Sequence, residues 1–218
     1  VISLLAVNGS VMVHDTEAAM VGATSEDVSA SLGDGTFGMS REANGLINAA
    51  AIEAARKGIG LGQALGASII QNGFPYEGDS LFASAARLDI PVCVHVALGT
   101  DVYHVHPEAD GAALGKGSLT DFHTFCAAVA TLEGGVFINL GSAVIIPEVF
   151  LKAVTLARNL GCVLKDMTTI NMDFIRHYRP QVNIVNRPTA EGGQGFYFIG
   201  HHELMFPLLA AALIERLA

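Results

Sequence analysis

The sequence predicts an α/β fold in which a doubly wound, mainly parallel sheet carries helices on both faces. Short apolar segments alternate along the chain with longer segments whose apolar residues recur at helical spacing. The short segments are almost continuously apolar, which is typical of parallel strands that are covered on both faces. A chain of 218 residues is long enough for one such domain, so we expect a single domain over residues 1–218.

Five strands and six helices follow from these patterns. The strands are expected at Ile2–Val7, Pro91–Ala97, Val136–Leu140, Cys162–Met167 (from a weaker pattern) and Phe196–Ile199. The helices are expected at Asn44–Arg56, Leu61–Gln71, Ser80–Arg87, Leu119–Leu132, Pro147–Leu160 and Glu203–Leu217. Ser118, with Asp121 three residues on, is typical of the start of the helix at Leu119–Leu132. For the helix at Pro147–Leu160, Pro147 suits the first turn and Gly161 suits the position just after the end.

Composition excludes several classes of function. Hydrophobic residues make up 51% of the chain and charged residues 15%, as in a tightly folded globular protein. The net charge is −9 and the twelve Lys and Arg do not cluster, so no nucleic-acid partner is expected. The late apolar run Met205–Ile214 is about half of the roughly 20 residues that a spanning helix needs, so no membrane partner is expected.

The cysteines and the first residues give two further expectations. Three widely spaced cysteines in apolar surroundings indicate core residues in a reducing compartment, and therefore a cytoplasmic protein. Because the chain begins at Val1 inside a strand-like run, we expect a further N-terminal segment in the natural protein.

Small or polar residues follow every predicted strand. Ligands of open α/β sheets bind outside the carboxyl ends of the strands, so this coincidence predicts a ligand site. The segments that follow the five strands are Asn8-Gly9-Ser10, GTDVYHVHP (Gly99–Pro107), Gly141-Ser142-Ala143, Thr168–Asp173 and Gly200–Glu203.

The segment GTDVYHVHP has three interpretations. In an extended chain His104 and His106 point the same way, and with His201, His202 and Glu203 they could form a metal site, although neither HExxH nor a cysteine pair is present. Alternatively, these side chains form a polar rim that caps the sheet. We favour a cofactor-and-substrate loop without a metal, in which Asp101 accepts hydrogen bonds from a ribose hydroxyl or an amide. His104 and His106 would then act as general acid–base groups.

Other polar residues leave two interpretations each. The turn Gly141-Ser142-Ala143 offers helix N-terminal amides to a phosphate, or is simply a tight turn. Arg176, His177 and Arg179 could hold an anionic substrate or be solvated. His95 and His123 are interpreted as structural histidines.

The order of these motifs resembles that of the deoxyhypusine synthase family, and the resemblance runs along most of the chain. That family has a parallel-sheet, Rossmann-like, NAD-binding domain and forms tetramers with active sites at subunit interfaces. The segments that carry the resemblance are VNGS (Val7–Ser10), Gly33–Ile52, DSLFASAARLDIPVCVHVALGTD (Asp79–Asp101), Gly134–Gly161, TTINMD (Thr168–Asp173) and HHELMFPLLAAAL (His201–Leu213).

The resemblance implies a set of NAD contacts at Asn8, Gly9, Asp101, Gly141, Ser142, Thr168, Thr169, Asp173, His201 and His202. It places His106 where the family has a polyamine-binding aspartate, and it places the family's catalytic histidine near Pro147 or Glu148. The family's nucleophilic lysine precedes the final strand, but the corresponding stretch Arg187–Ile199 contains no lysine. Because imine chemistry needs such an amine, the resemblance implies a relative with different chemistry, not a true deoxyhypusine synthase.

We therefore expect a dinucleotide-binding enzyme, an NAD-dependent transferase or oxidoreductase that acts on a small molecule. Its candidate catalytic residues are His104, His106, Glu148 and His177. By resemblance it is a homo-oligomer, namely a tetramer. Two alternatives remain open: a metal-dependent hydrolase that uses His104, His106, His201 and Glu203, and a non-catalytic sensor or scaffold.

Overall fold

The computed structural model describes residues 1–217. About 55% of the chain is helical, and all strand pairs of the described residues are parallel. The prediction of an α/β protein with parallel strands is therefore confirmed. The strands form two small sheets instead of one doubly wound sheet. The chain divides into two compact units, Val1–Phe125 (the first unit) and the chain from Cys126 onward (the second unit).

The first unit contains a pair of strands and most of the helices. In chain order its elements are β1 (Leu5–Asn8), α1 (Gly9–Val21), α2 (Val28–Leu32), α3 (Arg41–Lys57), α4 (Leu61–Asn72), α5 (Leu81–Arg87) and β2 (Val92–His95), and α6 (Gly111–Val129) then carries the chain into the second unit. Short 3-10 turns lie at Glu77–Asp79 and Val102–Val105. The predicted helices that correspond to α3, α4 and α5 are confirmed to within three residues.

The core of the first unit surrounds the buried strand β2. Val92 pairs with Leu5 and His95 with Asn8, and every residue of β2 is buried. Helix α4 packs closely on β2, because a Cβ at Gly62 would overlap the carbonyl oxygen of Val92. The largest side chains of this core include Met12, Ile47, Leu65, Phe82 and Leu114.

Helices α1 and α6 differ from the expectations. Helix α1 was missed: its apolar residues lie all around the helix rather than on one face, so the sequence carries no amphipathic signal. Helix α6 begins at Gly111 rather than at Leu119, because the carboxylate of Asp110 accepts the amides of Ala112 and Ala113 and caps it there. Ser118 is therefore not a cap; its hydroxyl donates to the carbonyl of Val94.

Asp121 was expected to belong to that helix start, but it instead joins α4 to β2. Its Oδ2 accepts the amides of Leu61 at 2.9 Å, Gly62 at 3.3 Å and Val94 at 2.9 Å. Only 3% of the residue is exposed. Burial raises the pKa of the Asp121 carboxyl to about 6, although the three amides act in the opposite direction.

The second unit consists of a three-stranded sheet and its helices. Its elements are β3 (Val136–Leu140), α7 (Ile145–Asn159), β4 (Thr168–Asp173), α8 (Tyr178–Pro180) with the π-helix Gln181–Asn186, β5 (Gln194–Ile199) and α9 (His202–Leu217). The sheet order is β3-β4-β5. Pro147 lies in the first turn of α7 and Gly161, with a φ of 90°, follows its end, so both expectations are confirmed.

The central strand β4 corrects the sequence analysis. The expected strand Cys162–Met167 is irregular, and Thr168–Asp173, expected as the loop after it, is the strand itself. The strand was missed because two of its buried positions carry polar side chains. Thr169 donates to the carbonyl of Ile184 at 2.7 Å, and Asn171 accepts the side-chain amide of Asn139 at 2.6 Å.

Within residues 1–217, no helix combines the length and the apolar character that crossing a membrane requires.

Candidate functional site

The first unit brings Asn8, Gly9 and Asp101 together at the carboxyl end of its strand pair. Asn8 ends β1 and Gly9 begins α1 without an intervening loop. A Cβ at Gly9 would overlap the carboxylate of Asp101 and crowd the hydroxyl of Tyr103, so only glycine fits. Three of the residues expected to contact the cofactor therefore lie in one place.

The carboxylate of Asp101 is partly buried and has two hydroxyl neighbours. Thr100 donates to its Oδ2 at 3.3 Å and Tyr103 at 3.4 Å. Burial raises the pKa of Asp101, although His104 and the two hydroxyls oppose the shift. Burial and the adjacent carboxylate raise the pKa of Tyr103, so its hydroxyl stays protonated and remains a donor.

The segment around His104 is a compact turn. Residues Val102–Val105 form a 3-10 turn, and Nδ1 of His104 accepts the amides of Gly99 and Asp101, each at 3.2 Å. Burial lowers the pKa of His104 against the opposing effect of Asp101. The argument that His104 and His106 point the same way in an extended chain is therefore wrong. The His106 ring lies 3.6 Å from the position of a Cβ on Gly45, over α3.

A cavity of about 1380 Å³ opens inside the first unit next to Asp101. Its wall also carries the acidic residues Glu17, Glu26 and Glu42, together with apolar side chains of α1 and α3. The wall is mostly apolar and its acids repel phosphates, so this cavity suits an uncharged group better than a polyanion.

The second unit has its own group of polar residues, at the carboxyl ends of β3, β4 and β5. Gly141, with a φ of 65°, donates its amide to the carbonyl of Met172. Asn139 donates its side-chain amide to the carbonyl of Ser142, whose hydroxyl accepts the amide of Ile146 at 3.2 Å. These bonds fix the turn that leads into α7.

Asp173 and His202 lie at this edge with buried polar atoms that remain free. Asp173 is 2% exposed; its Oδ1 accepts the amide of Phe174, whereas its Oδ2 has no hydrogen-bond partner among the described residues. The Nε2 of His177 is 3.7 Å from that Oδ2. The His202 ring lies 3.1 Å from the position of a Cβ on Gly141, and in residues 1–217 neither of its buried nitrogens has a partner. Unpartnered buried polar atoms are uncommon and mark this edge as a candidate ligand site.

Glu148, in the first turn of α7, is held by several partners. Its Oε1 accepts the side-chain amide of Asn183 at 2.8 Å and lies 3.4 Å from Arg179, while its Oε2 lies 3.3 Å from Lys152. The sequence analysis missed Asn183, which the π-helix directs toward Glu148. In the sequence, Asn183 is marked only by its place shortly after Arg179 and Pro180, and that signal is too weak to identify it.

The remaining expected residues lie elsewhere in the second unit. Thr168 and Thr169 begin β4, so they lie at the end of the sheet opposite to Asp173. The Thr169 side chain is fully buried and its hydroxyl bonds to Ile184, as described above. His201 is exposed just before α9. The structure thus brings together Gly141, Asp173 and His202 in this unit, but not the two threonines.

Tyr197 is a second residue that the sequence analysis missed. It lies in β5, and its hydroxyl accepts the amide of His177 at 2.9 Å and donates to the carbonyl of Ile175 at 3.0 Å. The only available signal was its place in the final predicted strand. It anchors the segment that contains His177.

Across the described residues, no three or more His, Cys, Asp or Glu side chains are grouped so that they could hold a metal ion. The metal-dependent hydrolase therefore has no ligand set in that part of the chain.

Comparisons with protein-family models, with curated proteins and with solved structures found no match for this chain.

Proposed function

We propose that this chain is an NAD-binding enzyme, a relative of deoxyhypusine synthase with different chemistry, that acts on a small molecule at the carboxyl ends of its strands. The observation that carries the proposal is the position of Asp101 against Gly9. Glycine begins the helix after one parallel strand, and the carboxylate follows the neighbouring strand. Dinucleotide-binding folds combine a glycine turn with an acid that accepts the ribose hydroxyls in this way.

The chemistry of Asp101 suits a ribose. Its hydrogen bonds to Thr100 and Tyr103, at 3.3 and 3.4 Å, are long for O–H donors, so both can give way to shorter bonds from a ligand. A ribose supplies two adjacent hydroxyl donors to one carboxylate. The acidic cavity next to Asp101 favours the nucleoside part of the cofactor over its phosphates.

The second unit offers contacts that suit a phosphate. In the first turn of α7 the Ser142 hydroxyl accepts the amide of Ile146 and Pro147 has no N–H, so among the described residues the amide of Ile145 is the one left for a ligand. A Cβ at Gly141 would lie 3.1 Å from the His202 ring, so glycine leaves more room beside that turn than any other residue would. A helix N-terminus attracts anions through its amides and its dipole, which supports Gly141 and Ser142 as cofactor contacts.

Among the candidate catalytic residues, His177 has the best support. A buried carboxylate, Asp173, faces its ring and can orient it and balance the charge that it gains with a proton. His104 is committed to the backbone amides of its own turn, and Glu148 is paired with cations. The role of His106 as an acid–base group stays a prediction.

Titration of NADH fluorescence tests the cofactor assignment. Asp101→Asn keeps the size of the side chain but replaces one acceptor oxygen by a donor, so NADH affinity should fall by about tenfold or more. The matched control is Glu108→Gln, which removes the same charge from an exposed position seven residues later. Equal affinities for the parent and both variants would remove Asp101 from the cofactor site.

We also propose that the chain is a homo-oligomer. Large apolar side chains of α9 are exposed, among them Leu204, Phe206, Leu208 and Ile214. Such side chains usually face a partner. Light scattering should give a multiple of 22.7 kDa, and a stable monomer of that mass would contradict the proposal.

A further inference from the structure

The guanidinium of Arg176 is held in place at the carboxyl edge of the second unit. Its Cζ lies 5.0 Å from the centre of the Tyr197 ring, as in a cation–π contact. The hydroxyl of the same tyrosine bonds to the backbone on both sides of Arg176, at Ile175 and at His177. A guanidinium that lies on a ring keeps its N–H donors at the edge of its plane, where they can pair with an anion.

Within residues 1–217 Arg176 has no acidic partner, although acids lie close along the chain. None of the ion pairs found within residues 1–217 includes Arg176. The buried carboxylate of Asp173 faces His177, and Glu148 has Lys152 and Arg179 as partners. Arg187 donates to Asn183 rather than to an acid. Arg176 therefore keeps a positive charge that no ion pair among the described residues balances, in a chain whose net charge is −9.

We propose that this edge binds a small 2-hydroxy carboxylate, with Arg176 pairing with the carboxylate and His177 facing the hydroxyl. The Nε2 of His177 faces Asp173, which leaves its Nδ1 for the ligand. A 2-hydroxy acid places one anionic group and one ionisable hydroxyl on adjacent carbons. Tyr197 holds both residues, because its ring lies 5.0 Å from Cζ of Arg176 and its hydroxyl accepts the amide of His177.

This inference deepens the proposed function and rests on it for the reaction, because the hydroxy acid would be the substrate that NAD⁺ oxidises. Bound NAD⁺ would supply the acceptor for the C2 hydrogen and its electron pair, which would leave a 2-oxo acid. His177 would accept the hydroxyl proton as the C2–O bond becomes a double bond, and would then release that proton to solvent.

Calorimetric titration with DL-lactate tests the inference directly, with lactamide as a neutral probe of the same size and 1,4-diaminobutane as a cationic one. Each titration is made with and without NAD⁺ on the full chain. Lactate should bind, and lactamide and the diamine should bind at least about tenfold more weakly, because neither can form a charge-assisted pair with Arg176.

Two variants separate a built site from general attraction of anions. Arg176→Gln should weaken lactate binding by about 10- to 100-fold. Lys165→Gln removes the same charge at the opposite, amino end of the same sheet and should change it by less than about twofold. Equal effects of the two substitutions, or equal binding of lactate and lactamide, would overturn the inference.

His177→Gln gives a second readout. It should leave lactate affinity within about threefold of the parent, because Arg176 is intact, and abolish the formation of NADH from NAD⁺ and lactate. If NAD⁺ binds and no hydroxy acid does, this inference fails while the proposed cofactor stands. If lactate binds and NAD⁺ does not, the carboxylate site stands and the proposed function fails.

Discussion

Each unit of the molecule contains a buried aspartate, and the two differ in how their oxygens are used. Asp121, in the first unit, is 3% exposed and accepts three backbone amides from two elements. Asp173, in the second unit, is 2% exposed, but one of its oxygens has no hydrogen-bond partner in residues 1–217. The first holds α4 against β2, whereas the second lies at the end of a strand with a histidine at 3.7 Å.

Structural and functional carboxylates differ in whether their buried oxygens have donors within the fold. A buried acid that accepts amides from two elements contributes to folding, and its removal leaves several amides without a partner. A carboxylate oxygen that is fully buried without a partner, such as Oδ2 of Asp173, carries a desolvation cost that the fold does not recover, which is expected where a ligand supplies the missing donor. Asp101 is intermediate, because it is partly buried and its two donors are distant hydroxyls.

The largest expected effect is that of Asp121→Ala. The amides of Leu61, Gly62 and Val94 would lose their common acceptor, and we expect the free energy of unfolding to fall by about 3–5 kcal/mol. Urea denaturation followed by circular dichroism measures it. A loss below about 1 kcal/mol would mean that Asp121 does not hold these two elements together.

The pH dependence of stability should show two opposite contributions from the first unit. The pKa of Asp121 is raised from 3.8 to about 6, so the folded state binds its proton more tightly and stability falls as pH rises through this range. Burial lowers the pKa of His95 from 6.5 to about 4, so stability rises with pH between those values. Each contribution amounts to about 3 kcal/mol, and they nearly cancel.

Two variants separate the opposite pH dependences of stability that Asp121 and His95 contribute. In Asp121→Asn only the histidine remains, so urea denaturation should show stability that rises from pH 4 to pH 6.5. In His95→Leu only the aspartate remains, and stability should fall from pH 4 to pH 6. Identical slopes in the two variants would contradict both assignments.

A smaller effect is expected for Gly9→Ala, which tests how tightly Asp101 is packed. The new Cβ would overlap the Asp101 carboxylate, and displacing that group should destabilise the protein by about 1–3 kcal/mol. The control is Gly115→Ala in α6, where no atom of the described residues lies within 4 Å of the added carbon. It should stabilise the helix by about 0.5–1 kcal/mol. Thermal unfolding shows whether each substitution lowers or raises the stability of the protein. An unchanged stability in Gly9→Ala would show that the Asp101 side chain moves freely.

The smallest effect on stability is expected for Asp173→Asn. The side-chain oxygen that remains can still accept the amide of Phe174, and the free oxygen is replaced without loss of a hydrogen bond. We therefore expect a change within about 1 kcal/mol in urea denaturation. A fall in the free energy of unfolding as large as that of Asp121→Ala would make Asp173 a structural residue like Asp121.

Local patterns predicted most helices and the strand at Pro91–Ala97, because these elements carry their own periodicity and apolar runs. They did not predict that the strands divide into two sheets, since strand pairing depends on contacts distant in sequence. Strand β4 was missed because Thr169 and Asn171 are polar yet buried, and their partners, Ile184 and Asn139, lie far along the chain.

Part of the candidate site was also predictable from local patterns in the sequence. Asn8, Gly9 and Asp101 follow apolar runs directly, so the rule on strand ends was sufficient to find them. The placement of His104 was not predictable, because it depends on a 3-10 turn that its own ring stabilises by accepting two amides. Tyr197 was missed because its contacts to the segment around Arg176 arise only after β5 has paired with β4.

We propose NAD binding at polar strand ends, and calorimetric titration of the folded parent chain with NAD⁺ is its sharpest test. Asp121→Asn serves as the control for a buried aspartate outside the site, and Asp173→Asn as the variant within it. We expect saturable binding with a Kd below about 1 mM for the parent and the control, and binding about tenfold weaker for Asp173→Asn. The absence of binding heat with the parent at NAD⁺ concentrations of several millimolar would contradict it.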